Sequence, residues 1–238
     1  MKVGVCQTPE ILGDVTRAVH LVRDVAASAH ADLLLFPECF LQGYLAIEEH
    51  VRDQALEIGS PAFRALLADL GSLRQMLVLG MIERAGDDFY NTAVVIAGGR
   101  LIGRYRKCHL TAGESVFTAG ADYPVFTCAG TPFGINICYD AQFPAAAAAV
   151  AAAGARALLL PAGNMMPREK AYHWQHRHNE IRAQRVRETG LWLASADVTG
   201  ERDNRIGLGP TCILNPAGQI AAAVPPHTTG VAVAEIDP

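Results

Sequence analysis

The chain has 238 residues, half of them hydrophobic and only 18% charged, and its 20 Lys and Arg against 24 Asp and Glu leave a net charge of −4. A chain this apolar can bury enough surface to offset its ordering entropy, which excludes a disordered protein. Its mildly acidic balance lacks the basic footprint that nucleic acid or an anionic membrane calls for, so a small molecule is the expected partner.

Lys2 to Gln7 reads as a strand, and no apolar signal region builds up before Pro9, Glu10 and Asp14, so secretion is not expected. Val15 to His30 carries Val15, Val19, Val22, Val25 and Ala26 at helical spacing, and Asp32 to Phe36 is an apolar run typical of a strand buried on both faces. A helix over Ala62 to Leu70 and a strand over Met76 to Ile82 follow. Thr92 to Ala97, the turn Gly98-Gly99 and Leu101 to Tyr105 form a hairpin pattern, and Tyr123 to Cys128 pairs with Phe133 to Cys138 across Ala129-Gly130. Pro144 to Ala153 is an alanine-rich helix, Ala157 to Leu160 a strand, and His173 to Glu188 the longest helical segment. Strands over Leu191 to Ala196 and Thr211 to Leu214 come next, the latter turning through Asn215-Pro216-Ala217-Gly218 into Gln219 to Val224. The uncharged run Ala141 to Ala155 contains Gln142 and Pro144 and falls short of the ~20 apolar residues a spanning helix needs, so no membrane segment is expected.

No Pro-, Ser- or charge-rich stretch divides the sequence and no fixed period repeats, so one domain over 1–238 is expected. Helices alternating with several hairpins point to an α/β protein of stacked mixed sheets covered by helices. The six cysteines, Cys6, Cys39, Cys108, Cys128, Cys138 and Cys212, show no C-x-x-C pair, which favours free thiols and a cytoplasmic location.

Three reactive side chains stand at abrupt strand ends: Glu38 after Leu33-Leu34-Leu35-Phe36-Pro37, Lys107 after the strand ending at Tyr105, and Cys138 after Phe133-Gly134-Ile135-Asn136-Ile137. Strand ends are where an α/β scaffold fixes a side chain while a loop leaves it accessible. A thiol is nucleophilic as thiolate, and a nearby cation or helix N-terminus favours that form. Lys107 would supply the cation, and Glu38 would take the thiol proton and return it to a leaving amine. Lys107 and the Tyr139 N–H would then donate to a tetrahedral oxyanion.

The segments Leu33-Leu34-Leu35-Phe36-Pro37-Glu38-Cys39-Phe40-Leu41-Gln42-Gly43-Tyr44, Gly103-Arg104-Tyr105-Arg106-Lys107-Cys108-His109-Leu110 and Gly134-Ile135-Asn136-Ile137-Cys138-Tyr139-Asp140-Ala141-Gln142-Phe143-Pro144 resemble the carbon–nitrogen hydrolases of the nitrilase superfamily. Their order and their separations, 69 residues from Glu38 to Lys107 and 31 from Lys107 to Cys138, agree with that resemblance, which extends across nearly the whole chain. It implies a four-layer αββα sandwich of two mixed β-sheets, commonly paired as a homodimer or higher homo-oligomer, with a Glu38-Lys107-Cys138 triad and no cofactor. Glu114 matches a second acidic residue that would position the lysine or the substrate's amide nitrogen.

Cys138-Tyr139-Asp140 looks like the amidase branches, which implies a small linear carboxamide cleaved to carboxylate and ammonia through an acyl-cysteine. An N-carbamoyl amine or a nitrile on the same triad is the alternative. Gln142 and Ala145 depart from the Arg and Glu of many relatives and weaken any expectation of a carboxylate-bearing substrate. Tyr44, Tyr139 and Asn164 are the candidate substrate-binding residues.

Three rival readings remain. His173, His176 and His178 invite zinc but lack a ligand set at a recognisable spacing. His109 would serve a Cys-His pair, and a non-catalytic binding protein would retain the fold without the chemistry.

Overall fold

The computed structural model describes residues 1–237. Two mixed sheets form the centre. The first runs, edge to edge, through Met165–Pro167, Arg205–Leu208, Val198–Arg202, Lys2–Pro9, Leu33–Leu35, Met76–Ala85, Asp88–Ala97 and Arg100–Arg106, with Gly230–Glu235 also paired to Lys2–Pro9 and Leu56–Glu57 to Met76–Ala85. The second runs through Ile220–Ala223, Cys212–Leu214, Trp192–Ala196, Ala157–Pro161, Thr131–Ile135 and Val125–Cys128. Lys2–Pro9, Leu33–Leu35 and Met76–Ala85 pair in parallel, and the hairpins on either side are antiparallel.

Strand alternation explains the layers. Val3, Val5, Leu33, Leu35, Val78 and Val95 point inward and meet Phe133, Ile135, Leu159, Ala194 and Ile213 of the second sheet in one core. Cys6, Leu34, Leu77, Leu79 and Val94 point the other way and pack beneath helices Val15–Ser28 and Pro61–Asp69. Leu158, Leu160, Leu193 and Leu214 do the same beneath helices Pro144–Ala152 and Arg177–Thr189. The result is the four-layer αββα sandwich. Burial on both faces also accounts for the unbroken apolar run Leu33-Leu34-Leu35.

Some elements differ from the sequence reading. The segment expected to be one helix over His173 to Glu188 is two, Arg168–Trp174 and Arg177–Thr189, because they serve different partners. Ala171 of the first packs on Ile206 and Leu208, whereas Ala183 and Val186 of the second pack on the other sheet. Val15–Ser28 is the longest helix, held by Asp14, whose side chain accepts from Arg17 N. The helix Glu48–Gln54 had no expected counterpart. Strand pairing before Cys138 stops at Ile135, so the thiol stands on a short 3-10 turn, Cys138–Gln142, and not on the strand itself. The hairpin Val198–Arg202/Arg205–Leu208 and the strand Gly230–Glu235 had no expected counterpart. Among the described residues no helix is long and apolar enough to cross a membrane.

The first sheet approaches the segment after Leu33–Leu35 so closely that Gly80 has no room for a side chain. A Cβ there would strike Pro37 O, Cys39 N and the Glu38 carbonyl carbon, all backbone atoms that cannot swing aside. Gly80→Ala is therefore expected to destabilise the protein by about 1–3 kcal/mol through overpacking. Thermal unfolding would show a fall of several degrees, and an unchanged Tm would mean the contact is not tight.

Candidate active site

The ends of strands from both sheets converge. After Leu33–Leu35, Phe36 N donates to Val78 O (2.9 Å) and Glu38 N donates across to Ala162 O (3.2 Å), next to the last strand residue of Ala157–Pro161 in the opposite sheet. Cys39 then turns the chain with φ 46°, a region non-glycine residues seldom occupy. Lys107 follows Arg100–Arg106 directly, its N–H bonded to Asn91 O (2.8 Å) and its carbonyl accepting from Gly120 N (2.8 Å). Glu114 ends the single turn Ala112–Glu114 and accepts from Thr111 N at Oε2 (2.8 Å).

These three side chains are buried and in contact. Lys107 Nζ donates to Glu38 Oε1 at 2.7 Å and to Glu114 Oε1 and Oε2 at 2.8 and 2.9 Å. Asn91 Nδ2 bridges the two carboxylates, 2.8 Å from Glu38 Oε1 and 3.1 Å from Glu114 Oε1. Its Oδ1 accepts from the Cys39 thiol at 3.5 Å, which sets the amide's orientation. Glu114 has donors at both oxygens, whereas buried Glu38 Oε2 has no hydrogen-bond partner. Glu38 also lines a cavity of about 10 Å³, barely one water, together with Phe40, Tyr44, Gly163, Met165 and Val198.

The two carboxyls differ electrostatically. Burial and the neighbouring Glu114 charge raise Glu38 above its ordinary value of 4.5, although Lys107 and Asn91 pull the other way. Burial also opposes ionisation of Glu114, but Lys107, the Thr111 N–H and Asn91 outweigh it and hold that carboxyl below 4.5. For Lys107, burial alone would lower the ammonium, yet Glu38, Cys138 and Glu114 together raise it, so it stays charged.

Cys138 is the first residue of its 3-10 turn and has φ 43°. Asp140 braces that turn, accepting from Ile137 N (2.8 Å) and the Tyr105 hydroxyl (2.7 Å) at Oδ2, and from His109 N (2.8 Å) at Oδ1. The His109 ring serves this brace, with Nδ1 2.9 Å from Asp140 Oδ1 and its plane stacked 3.9 Å from Phe143. As a residue Cys138 is only partly buried, in contrast to the enclosed Cys6, Cys39 and Cys212. Burial and the Glu38 charge nevertheless push it well above its ordinary 9.0, with Lys107 opposing, so it rests as a thiol and not as the thiolate that a cation alone would favour.

Of the other candidates, Tyr44 lies with its ring centroid 5.8 Å from Lys107 Nζ and on the wall of the small cavity. Asn164 is buried with Oδ1 3.9 Å from Cys138 Sγ. Tyr139 is 37% exposed and packs edge-on against Phe143, apart from the charged cluster. Asn91, Asp197 and Gly163 were not singled out from sequence, and Asp140 only as part of Cys138-Tyr139-Asp140. Asn91 directly precedes the expected strand Thr92 to Ala97, and only the longer observed strand Asp88–Ala97 places it inside the sheet. His173 is on one helix and His178 on the next, where burial and Arg182 push His178 down to about 3. Among the described residues no group of three His, Cys, Asp or Glu is placed to hold a metal.

A family model described as carbon–nitrogen hydrolase matches residues 2–238. A nitrilase of Pyrococcus abyssi is 31% identical over 96% of this chain and 86% of its own. A chloroplastic omega-amidase of Arabidopsis thaliana is 29% identical over 99% of this chain and 67% of its own. Among solved structures, an amidase from Nesterenkonia sp. AN1 superposes with a TM-score of 0.81 at 25% identity, covering 100% of this chain and 93% of that one. That amidase has also been solved with acrylamide added at its active-site cysteine.

The buried ion cluster generates a stability prediction. Lys107→Met strands two buried carboxylates and is expected to cost about 3–5 kcal/mol. Adding Glu38→Gln and Glu114→Gln removes the stranded charge and should return most of that loss. Urea unfolding of the single and triple variants checks it, and equal stabilities would mean the cluster is not electrostatically coupled.

Proposed function

The chain belongs to the carbon–nitrogen hydrolase family, and from that premise we propose that it is an amidohydrolase that cleaves a small linear carboxamide through an acyl-cysteine at Cys138. The observation that carries this reading is the Lys107 ammonium held between Glu38 and Glu114, with one Glu38 oxygen left free. Such a cluster is a proton acceptor next to a fixed positive charge, which is what attack by a neutral thiol on a carbonyl needs.

Cys138 Sγ bonds to the amide carbon as its proton moves to Glu38 Oε2, the oxygen with no partner. The carbonyl oxygen, now negative, takes the Lys107 N–H that served Glu38 Oε1 in the resting protein, which a protonated Glu38 holds less strongly, while the other two stay on Glu114. It takes a second from Tyr139, which lies in the first turn of the 3-10 segment where backbone N–H groups have no intrahelical partner. Each such donor is commonly worth about 3–4 kcal/mol. The C–N bond then breaks, Glu38 returns the proton to nitrogen, and ammonia leaves a thioester. Water adds to the thioester as Glu38 takes its proton. The C–S bond breaks with return of the proton to sulfur, which releases the carboxylic acid and the starting thiol.

Glu38 serves as base because its carboxyl is raised and has a free oxygen, whereas Glu114 is lowered and filled, which suits a permanent counterion for Lys107. N-carbamoyl amines and nitriles are the alternative substrates for the same cluster. A homodimer and a cytoplasmic location belong to the same reading.

An amide, nitrile and carbamoyl panel with ammonia detection tests the substrate class. Cys138→Ala is expected to lower kcat by about 10⁶-fold and Glu38→Gln by about 10²–10⁴-fold. Unchanged turnover in either would sink the assignment. Because Glu38 must be ionised to accept the proton and its carboxyl is raised, kcat/KM should fall with decreasing pH through a limb above 4.5. A limb at or below that value would remove Glu38 as the base.

A further inference from the structure

Apart from the Lys107 cluster, one hydrogen-bond chain from the second sheet ends at the thiol. Asp197, just past strand Trp192–Ala196, accepts from the N–H groups of Asn164 and Val198 at Oδ1, both at 2.9 Å, and from Asn164 Nδ2 at Oδ2, at 2.5 Å. Arg182 Nη2 lies 3.6 Å from the same Oδ2. A carboxylate that takes Nδ2 fixes which way an amide faces. Asn164 Oδ1 is thereby turned toward Cys138, and the thiol, 3.9 Å away, is its donor in the resting protein.

That donor is used up in the reaction. Once the thiol proton has moved to Glu38 and sulfur has bonded to carbon, a buried acceptor is left facing the adduct, and a buried acceptor without a donor is costly. A nitrogen on the carbon bonded to Sγ is within its reach. Glu114 is not available for that nitrogen, since Oε1 already takes Lys107 and Asn91 and Oε2 takes Lys107 and the Thr111 N–H.

Resting on the amidase reading, we infer that Asn164 determines specificity, its Oδ1 accepting one N–H of the leaving carboxamide nitrogen and so selecting amides over esters of the same acid. The accepted N–H fixes rotation about the C–N bond and turns the nitrogen lone pair toward protonated Glu38 Oε2. The C–N bond breaks as that proton reaches nitrogen, and Glu38 is left ionised. An ester oxygen has no hydrogen to offer Asn164, so the acceptor stays unpaired along the whole path. Asp197 is the positioning residue, because it presents Oδ1 and not Nδ2 to the substrate.

The test compares kcat and KM for a primary amide and the methyl ester of the same acid, taken from a series of short unbranched acids, in the wild type, Asn164→Ala and Asn164→Ser. Asn164→Ala should lower the amide-to-ester ratio of kcat/KM by about 10- to 100-fold, chiefly through kcat. Asn164→Ser, which keeps a hydroxyl acceptor, should recover part of it. Ester turnover uses the same thiol and reports that the protein is folded. Parallel changes for both substrates, including loss of both or of neither, overturn the acceptor role. Wild-type protein that releases ammonia from no amide overturns the amidase reading instead, whatever the variants do.

Discussion

A lysine ammonium enclosed by two carboxylates and shut away from water is the constraint on which the rest depends. Unit charges about 4 Å apart attract by about 4 kcal/mol at an effective dielectric of 20, so a buried Lys107 is tolerable only with its partners in place. One positive and two negative charges leave the ionised cluster at −1. It therefore has an appetite for one proton, and the Cys138 thiol, which burial and the Glu38 charge keep protonated, holds one to give. The surplus resides on Glu38, because the Thr111 N–H and both oxygens' contacts with Lys107 stabilise Glu114 as the anion.

The sandwich divides the labour between its sheets. Glu38, Lys107 and Asn91 come from the first and Cys138 from the end of a strand in the second, while Asn164 and Asp197 stand where the chain crosses from the second sheet into Met165–Pro167 and Val198–Arg202 of the first. The separation of Glu38 from Cys138 is set by the core between the sheets, where Val3, Val5, Leu33 and Leu35 meet Phe133, Ile135 and Leu159. Close-packed side chains transmit small displacements, so a methylene lost or gained there reaches the site. The direct tie from Glu38 N to Ala162 O, two residues before Asn164, joins the sheets at the site itself. Positive φ at Cys39 and Cys138 marks the two places where the chain bends sharply to bring base and thiol together, and Asp140 holds the second bend with four hydrogen-bonding contacts.

Much of this was legible in sequence because periodicity and strand ends are local signals. Leu33-Leu34-Leu35 and Phe133-Gly134-Ile135 announce buried strands, and an acid, a lysine and a thiol after such runs stand out against their surroundings. What stayed hidden depends on contacts between distant segments. Asn91 is one of several polar residues at the start of its strand until it meets Glu38, 53 residues away in sequence, and Asp197 is an ordinary acid until Asn164 reaches it from 33 residues away. The break between Trp174 and Arg177 was invisible for the same reason, since no proline or glycine marks it and only the separate partners of the two helices explain it. The hairpin Val198–Arg202/Arg205–Leu208 turns through Asp203, at φ 54°, without a glycine between its strands to signal the reversal.

The position of the thiol's proton separates this site from one built on a thiolate–imidazolium pair. There an adjacent cation draws the proton off in the resting state. Here the cation at Lys107 is outweighed near sulfur by burial and the Glu38 charge, so Cys138 keeps its proton until a carbonyl is in place. His109, the ring best placed by sequence to alter that balance, has Nδ1 committed to Asp140 and its face to Phe143. A neutral thiol is a poor target for stray electrophiles and oxidants, which react with thiolate. In the proposed reaction the cluster would activate sulfur only where a polarised carbonyl can receive it, and the free oxygen of Glu38 that took the proton would be the group to return it to the departing nitrogen.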